Sequence, residues 1–271
     1  MTTIKDFISR FGFHTMPFTC ELKVQDYFVH DIYNEPLDHL CQAVERRMSA
    51  ALIAPAGTGK TALLRALVNR LPQARYRANY VKVTNLSKRD FCREIATVMD
   101  AEPAGTYPAL VRRIQDRLAA CLVIDGLRPV LLLDEAHDMR PEVLGILRIL
   151  TNFEMDSRLV VSIVLSGQPP LAKQLRHPQL EDVAHRLSHY AQLRLLSRTE
   201  TVQYVRHRCL IAGVATCPFD TGALEALFEI GRGNLRATDH LAIKSLEVAH
   251  HAEANVVDSN HIAQARAMLW T

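Results

Sequence analysis

Apolar positions along this chain fall into short runs, separated by longer stretches in which they recur every three or four residues. The short runs predict strands at residues 50–54, 76–83, 129–134, 159–165 and 192–196. The longer stretches predict amphipathic helices at residues 36–48, 61–71, 88–99, 107–124 and 141–153. This alternation predicts an α/β fold, in which a parallel sheet carries helices on both faces.

The pattern changes near residue 197. Only helical spacing follows, over residues 199–212, 220–230, 235–251 and 259–269, and Ser197 with Glu200 forms a capping-box pattern before the first of these. We therefore predict three parts: an N-terminal extension (1–36) whose aromatic residues pack on the core, an α/β domain (37–196) and a small helical domain (197–271).

A glycine-rich loop lies between the first predicted strand and its helix. Residues 54–61 read Ala-Pro-Ala-Gly-Thr-Gly-Lys-Thr, which is a P-loop with Ala54 in place of the usual first glycine. Its backbone N–H groups and the helix N-terminus are suited to the phosphates of ATP, Lys60 to the terminal phosphates and the Thr61 hydroxyl to Mg²⁺. The predicted nucleotide-binding residues are Pro55, Ala56, Gly57, Thr58, Gly59, Lys60, Thr61 and Ala62.

Two acidic residues end the strand predicted at residues 129–134. In P-loop NTPases a strand-end aspartate holds magnesium through water, and a neighbouring glutamate polarises the attacking water. Asp134 and Glu135 stand at these positions, so the sequence predicts a magnesium ligand and a catalytic acid, and with them an ATPase.

The composition of the chain restricts which class of protein it can be. The chain has 271 residues, 48% of them hydrophobic and 23% charged, without an apolar run long enough to span a membrane and without a signal-peptide pattern. Its six cysteines are scattered, which is typical of a reducing compartment, and we predict a cytoplasmic protein. A net charge of +3 means that any nucleic-acid binding depends on a local patch.

Two families share these motifs. The P-loop followed by Asp134-Glu-Ala-His137 resembles the first two motifs of DEAH-type helicases, but the chain after residue 134 is short and helical, unlike a second RecA-like domain. Nearly the whole chain resembles the ExeA-like AAA+ ATPases. The matching segments are Phe11-Gly-Phe13, Pro17-Phe18, the P-loop, residues 134–137, 152–158 and 164–169, Arg186-Leu187 and Gly233-Asn-Leu-Arg236. Leu235 departs from the family, which usually has proline there.

The resemblance implies an AAA+ fold with a helical lid and a nucleotide site shared between subunits of an oligomer. It implies a sensor residue at Gln168, with Ser166 as the alternative, because both follow the strand expected beside the acid-tipped one. It further implies that Arg186 is an arginine finger reaching the nucleotide of a neighbouring copy, and that Arg236 is a second sensor in the lid.

The family contains transposition helper proteins and a secretion ATPase. The secretion ATPases carry a membrane span and a periplasmic extension that this chain lacks, so we expect a transposition helper. Such a protein forms rings or filaments on duplex DNA with ATP and recruits a DDE transposase. The alternative is a secretion-associated ATPase or another regulatory AAA+ scaffold.

Duplex DNA would be contacted through its backbone by two segments of the α/β domain. Both combine basic side chains with hydroxyl or amide donors suited to phosphate, although such clusters also occur as ordinary solvated faces. The predicted DNA-binding residues are Lys82, Thr84, Asn85, Lys88, Arg89, Thr106, Tyr107 and Arg112.

Overall fold

The structure is a computed structural model that describes residues 4–102 and 104–269. The chain divides into two compact units. One unit combines the chain up to Val29, Gly57–Gly59 and the chain from Arg194 onward, and the other combines His30–Ala56 with Lys60–Leu193. The predicted domain limits differ from this division, chiefly because the N-terminal segment groups with the C-terminal helices.

The second unit is built on a five-stranded parallel sheet with the order β2-β3-β4-β1-β5. Its strands are β1 (Ser49–Ile53), β2 (Tyr76–Lys82), β3 (Arg128–Asp134), β4 (Ser162–Gly167) and β5 (Leu187–Gln192). The strand β3 lies between β2 and β4, with Lys82 opposite Asp134 and Leu133 opposite Leu165. The prediction that β4 adjoins the acid-tipped strand is therefore confirmed.

Helices cover both faces of this sheet. They are α2 (Asp31–Glu45), α3 (Lys60–Arg70), α4 (Lys88–Val98), α5 (Tyr107–Val123), α6 (Pro141–Leu144), α7 (Ile146–Leu150), α8 (Pro169–Leu175) and α9 (Glu181–Ala184). Along β3, Leu131 and Leu133 pack into one core with Phe91, while Leu132 packs into the other with Leu64. A strand buried on both faces reads as a continuous apolar run, and this is why the pattern identified β3 so clearly.

Several predicted boundaries are wrong. The last strand is Leu187–Gln192 and not 192–196, because this edge strand alternates buried with exposed positions and carries no apolar run. The strand predicted at 159–165 begins at Ser162 and continues through Gly167, so Ser166 lies inside it. The helix predicted from Pro36 begins at Asp31, after His30 caps its first turn.

The first unit is helical. The helices are α1 (Ile4–Arg10), α10 (Arg198–Ile211), α11 (Thr221–Gly231), α12 (Leu235–His251) and α13 (Ser259–Leu269). The predicted capping box of Ser197 and Glu200 is confirmed at the start of α10. No helix within the described ranges is long and apolar enough to cross a membrane.

The N-terminal segment packs on these helices. The Phe18 ring lies 6.0 Å from Phe219 in an edge-to-face arrangement, and the Arg208 guanidinium donates a 2.6 Å hydrogen bond to the Thr19 carbonyl. Phe18 is buried by these contacts. The extension therefore completes the hydrophobic core of the helical unit, which the sequence did not predict.

Candidate nucleotide-binding site

The glycine-rich loop joins β1 to α3, as predicted. Gly57 and Gly59 have φ of +72° and +94°, a left-handed backbone that side chains disfavour and that turns successive N–H groups toward one side. Ala54 is buried, and its N–H donates to the Gly167 carbonyl at 3.0 Å, so the residue continues the ladder between β1 and β4. A methyl group at this position is accommodated by the core, which explains how the loop forms without its usual first glycine.

Lys60 begins α3 and folds back over its own loop. Its ammonium lies 3.4 Å from the Ala54 carbonyl and 3.3 Å from the Pro55 carbonyl, and the side chain is buried. Carbonyl oxygens satisfy part of the hydrogen-bonding capacity of a buried ammonium, which has three donors. Lys60 is thereby held at the loop that the sequence assigns to phosphate binding.

Asp134, at the carboxyl end of β3, accepts four hydrogen bonds. The Thr61 hydroxyl donates to Oδ2 at 2.9 Å and the Tyr80 hydroxyl donates to the same oxygen at 3.1 Å. The Ser166 hydroxyl donates to Oδ1 at 2.8 Å, and the Glu135 N–H donates to it at 2.9 Å. These bonds engage both carboxylate oxygens and fix the orientation of the group.

Tyr80 is a member of this group that the sequence did not identify. It lies on β2, two residues before the end of the strand, and reaches Asp134 because Lys82 pairs with Asp134 in the sheet. Burial, followed by the charge of Asp134, raises the pKa of Tyr80 to about 12, so the hydroxyl remains a donor throughout the neutral range. The order of the strands would have been needed to predict this contact.

Glu135 occupies a strained backbone conformation directly after Asp134. Its φ of 58° and ψ of 32° lie in the left-handed region, and its side chain is partly exposed. Such strain in a residue other than glycine persists only where surrounding contacts impose it, and it occurs often at functional sites. The turn separates the Glu135 carboxylate from the buried Asp134, as different roles for the two acids require.

The two candidate sensor residues have different surroundings. Ser166 is fully buried within β4 and is bonded to Asp134. Gln168 follows the strand, is partly exposed and places its amide nitrogen 2.7 Å from Nε2 of His137. Ser166 thus contacts the Asp134 carboxylate, whereas Gln168 contacts His137. His137 was not singled out in the sequence either, although it is part of the Asp134-Glu-Ala-His137 motif.

Arg186 lies immediately before β5, paired with Asp156. The guanidinium nitrogen Nη2 lies 2.9 and 2.7 Å from the two carboxylate oxygens, and this bonding lowers the pKa of Asp156. Asp156 belongs to three consecutive residues, Glu154 to Asp156, with φ of 49°, 58° and 64°. An open groove of about 810 Å³ lies beside the pair, lined also by Arg148, Asp182 and His185. The structure thus places Arg186 at a charged groove of the α/β unit, apart from Asp134 and Lys60 in the fold.

Arg236 lies in the other compact unit, in the first turn of α12, and its side chain is exposed. Asn234 caps this helix by accepting a hydrogen bond from the Ala237 N–H at 3.1 Å. The Leu235 that replaces the family's proline therefore occupies the first helical position, which proline also favours. The backbone that presents Arg236 forms without the proline.

The predicted DNA-binding segments adjoin each other. The Arg89 guanidinium donates a 2.6 Å hydrogen bond to the Gly105 carbonyl, next to Thr106, so the start of α4 meets the loop before α5. Asn85 instead accepts a 2.8 Å hydrogen bond from Arg140. Lys82, Thr84, Asn85, Lys88, Arg89, Thr106 and Arg112 are exposed, and Tyr107 is partly buried. The structure thus brings Arg89 and the loop that carries Thr106 together.

Comparison with known proteins agrees with this architecture. Residues 43–175 match the family model described as AAA domain. Over 244 residues the chain is 33% identical to General secretion pathway protein A of Aeromonas hydrophila. The aligned region covers 88% of this chain and 44% of that protein. The chain thus spans less than half the length of the curated relative that it matches.

Solved structures share the fold at low sequence identity. Cdc6p from Pyrobaculum aerophilum has a TM-score of 0.75 and 15% identity, over 93% of this chain and 70% of that one. The Aeropyrum pernix ORC1 protein, in complex with DNA, has a TM-score of 0.68 and 17% identity, over 92% and 68% of the two chains. The Thermotoga maritima RuvB Holliday junction branch migration motor has a TM-score of 0.58 and 16% identity, over 89% and 70%. At these identities the likeness establishes the fold alone.

Proposed function

We propose that this chain, whose fold is that of an AAA+ P-loop NTPase, binds ATP with Mg²⁺ at the carboxyl edge of its sheet and hydrolyses it. One observation carries the proposal. The Thr61 hydroxyl, at the start of α3, and the Asp134 carboxylate, at the end of β3, are 2.9 Å apart. This contact joins the two motifs that the sequence assigned to one magnesium ion.

The residues fit that ion and its nucleotide. A hydroxyl and a carboxylate are the oxygen ligands that Mg²⁺ prefers, so Thr61 would bind it directly and Asp134 through water. Bound magnesium neutralises charge on the phosphates during transfer. Lys60 pairs with the terminal phosphates, the N–H groups of residues 56–62 surround them, and the partly exposed Glu135 accepts the proton of the attacking water.

The remaining candidates act around this centre. Gln168 contacts the γ-phosphate or the attacking water, and Ser166 holds the Asp134 carboxylate in place. Arg186 leaves Asp156 to reach the nucleotide of a neighbouring copy, so that ATP controls self-assembly. Arg236 links the helical unit to the nucleotide state. The groove beside Arg186 supports the assembly role, because a charged, open surface next to an arginine suits contact with a second copy.

Binding of a fluorescent ATP analogue to the Lys60→Ala variant tests the nucleotide site. We expect loss of binding, because the phosphates lose their pairing cation, while Lys173→Ala, an exposed lysine on α8, binds as the wild type does. Equal affinity of Lys60→Ala and wild type would contradict the assignment.

We assign the ATPase to a process related to that of General secretion pathway protein A, which shares 33% identity over most of this chain. A secretion-associated ATPase is the alternative hypothesis that the sequence offered. The 33% identity supports it better than it supports a role in transposition. ATP is available in the cytoplasm, where we place the protein. Complementation of a strain that lacks General secretion pathway protein A tests this: restored secretion supports the assignment, and unrestored secretion with normal ATPase activity argues against it.

A second candidate function is ATP-dependent binding to duplex DNA, with a DDE transposase as partner. The observation that favours it is the contact of Arg89 with Gly105, which joins two exposed basic segments. Fluorescence anisotropy with duplex DNA across a salt titration tests it. We expect the double variant Lys82→Ala, Lys88→Ala to bind more weakly and with a shallower salt dependence than the control Lys173→Ala. Equal salt-titration curves for the double variant and for Lys173→Ala would exclude this surface as the DNA-binding site.

A further inference from the structure

His137 lies between the two residues assigned above to the attacking water. Its Nε2 is 2.7 Å from the amide nitrogen of Gln168, and its Nδ1 is 3.4 Å from Oε2 of Glu135. The side chain is only 12% exposed. Nδ1 is fully buried and has no hydrogen-bond partner among the described residues. A buried nitrogen this close to a carboxylate needs only a small movement of Glu135 to form its hydrogen bond.

The donors and acceptors in this row fit one tautomer of the imidazole. The amide nitrogen of Gln168 can only donate, so Nε2 of His137 accepts. In a neutral ring the other nitrogen then carries the proton, and Nδ1–H faces the Glu135 carboxylate. A flipped amide would require the opposite tautomer and would place a lone pair against that carboxylate, so the hydrogen-bond pairing assigns the first arrangement.

The backbone of His137 is held against β4 and α8. The Gln174 amide donates to the His137 carbonyl at 3.3 Å. A Cβ on Gly167 would lie 3.1 Å from the backbone nitrogen of His137 and 2.7 Å from Cδ2 of Leu171, so glycine permits the close approach of the two backbones. His137 is therefore held against the same strand end that carries Gln168.

We propose that His137 is a positioning residue, which connects Gln168 to Glu135 and sets the orientation of the carboxylate that activates water. This proposal rests on the proposed function, since the roles of Gln168 and Glu135 toward the attacking water exist only if the chain hydrolyses ATP. A side chain at 137 must accept from Gln168 and donate to Glu135. Glutamine can do both with its amide, whereas leucine fills similar space and can do neither.

Steady-state ATPase kinetics separate positioning from packing. We expect His137→Leu to lower kcat by about tenfold or more with little change in KM, because the carboxylate is misplaced while the phosphates remain bound. His137→Gln should retain kcat to within about threefold of wild type. His39→Leu, an exposed histidine on α2 in the same unit, is the control and should match wild type. A His137→Leu kcat equal to that of the control, or an equal loss in the leucine and glutamine variants, would overturn the proposal.

Nuclear magnetic resonance of the nucleotide-free chain tests the same contact without hydrolysis. Long-range ¹H–¹⁵N spectra of the histidine rings, at a pH where imidazole is neutral, report the tautomer, and His137→Gln identifies the signal. We expect Nδ1–H in the wild type and a changed His137 signal in Gln168→Ala. An Nε2–H tautomer, or a signal unaffected by Gln168→Ala, would overturn the proposed connection. Absence of wild-type turnover together with the expected tautomer would count against ATP hydrolysis and leave the contact established.

Discussion

The Ser166 hydroxyl donates a 2.8 Å hydrogen bond to Oδ1 of Asp134 and thereby ties the end of β4 to the end of β3. Ser166 is fully buried, whereas Gln168, just beyond the strand, is partly exposed. The two polar residues that the sequence left as alternatives therefore have separate tasks in our proposal. Ser166 orients the magnesium-binding carboxylate, and Gln168 faces the nucleotide.

Replacing Ser166 with alanine should weaken the response to magnesium. Loss of a hydrogen bond to a buried carboxylate costs about 1.5 to 3 kcal/mol, so the Mg²⁺ concentration for half-maximal binding of an ATP analogue should rise by about tenfold or more. A magnesium titration of analogue binding measures this. Ser162→Ala, a buried serine at the other end of β4, is the matched control. An unchanged midpoint for Ser166→Ala would show that this bond does not organise the carboxylate.

Mixing two inactive variants tests whether the site is shared between copies. Lys60→Ala lacks a working nucleotide site, and Arg186→Ala lacks the arginine that we assign to the neighbour. A mixture contains interfaces with an intact nucleotide site on one copy and an intact Arg186 on the next, so ATPase activity should reappear. Lys60→Ala mixed with the double variant Lys60→Ala, Arg186→Ala is the control and should stay inactive. If Arg186→Ala alone keeps full activity, the arginine has no such role.

Acid should destabilise the helical unit partly through Glu200. Hydrogen bonds from Arg194 at 2.7 and 2.8 Å, and from the Ser197 N–H, lower the pKa of Glu200 to about 2 from 4.5. Because the pKa of Glu200 is lower in the folded state than in the unfolded state, its carboxylate stabilises the fold above pH 4.5. This contribution is lost as the pH falls toward 2.

Glu200→Gln should therefore lower the free energy of unfolding at neutral pH by about 2 kcal/mol, and the difference from wild type should narrow in acid. Chemical denaturation across this range measures both. Glu247→Gln, whose pair with Lys244 is more exposed than Glu200, should change little at any pH. A pH-independent difference for Glu200→Gln would show that the loss comes from packing and not from the charge.

Two of the six cysteines are close enough for oxidative coupling. The sulfur atoms of Cys209 and Cys217 are 3.9 Å apart, and the hydrogen bond from Cys209 lowers the pKa of Cys217. A thiol-oxidising agent such as diamide should remove one hydrogen from each sulfur and join them, which peptide mapping detects. Cys217→Ser should leave Cys209 reduced. Mapping that finds Cys209 paired with another cysteine in the wild type would contradict this geometry.

The parts of the fold that sequence predicted well are those with a local cause. β1 and β3 are buried on both faces and read as apolar runs, and Ser197 with Glu200 carries its cap within four residues of sequence. β5 was misplaced because an edge strand with polar exposed positions resembles a loop. Its pairing with β1 depends on residues far away in the chain, which no local pattern reports.

The candidate site shows the same difference between residues that a local motif predicts and contacts that depend on distant parts of the chain. Lys60, Thr61, Asp134 and Glu135 follow from two motifs and lie where the motifs place them. Tyr80 was missed because its contact with Asp134 requires the pairing of β2 with β3. His137 belongs to a motif, yet its connection to Gln168 depends on the adjacent end of β4. Side chains that meet across strands become predictable only once the strand order is known.

The measurement that tests ATP hydrolysis at this site most directly compares binding and turnover in Glu135→Gln. We expect the variant to bind an ATP analogue with the affinity of wild type, because Lys60, Thr61 and Asp134 are intact, and to lose ATP turnover by about a hundredfold or more, because the attacking water loses its base. Glu142→Gln, an exposed glutamate on α6, should turn over ATP at the wild-type rate. Wild-type turnover in Glu135→Gln would contradict the assignment of Glu135 as the catalytic base and, with it, the proposed site.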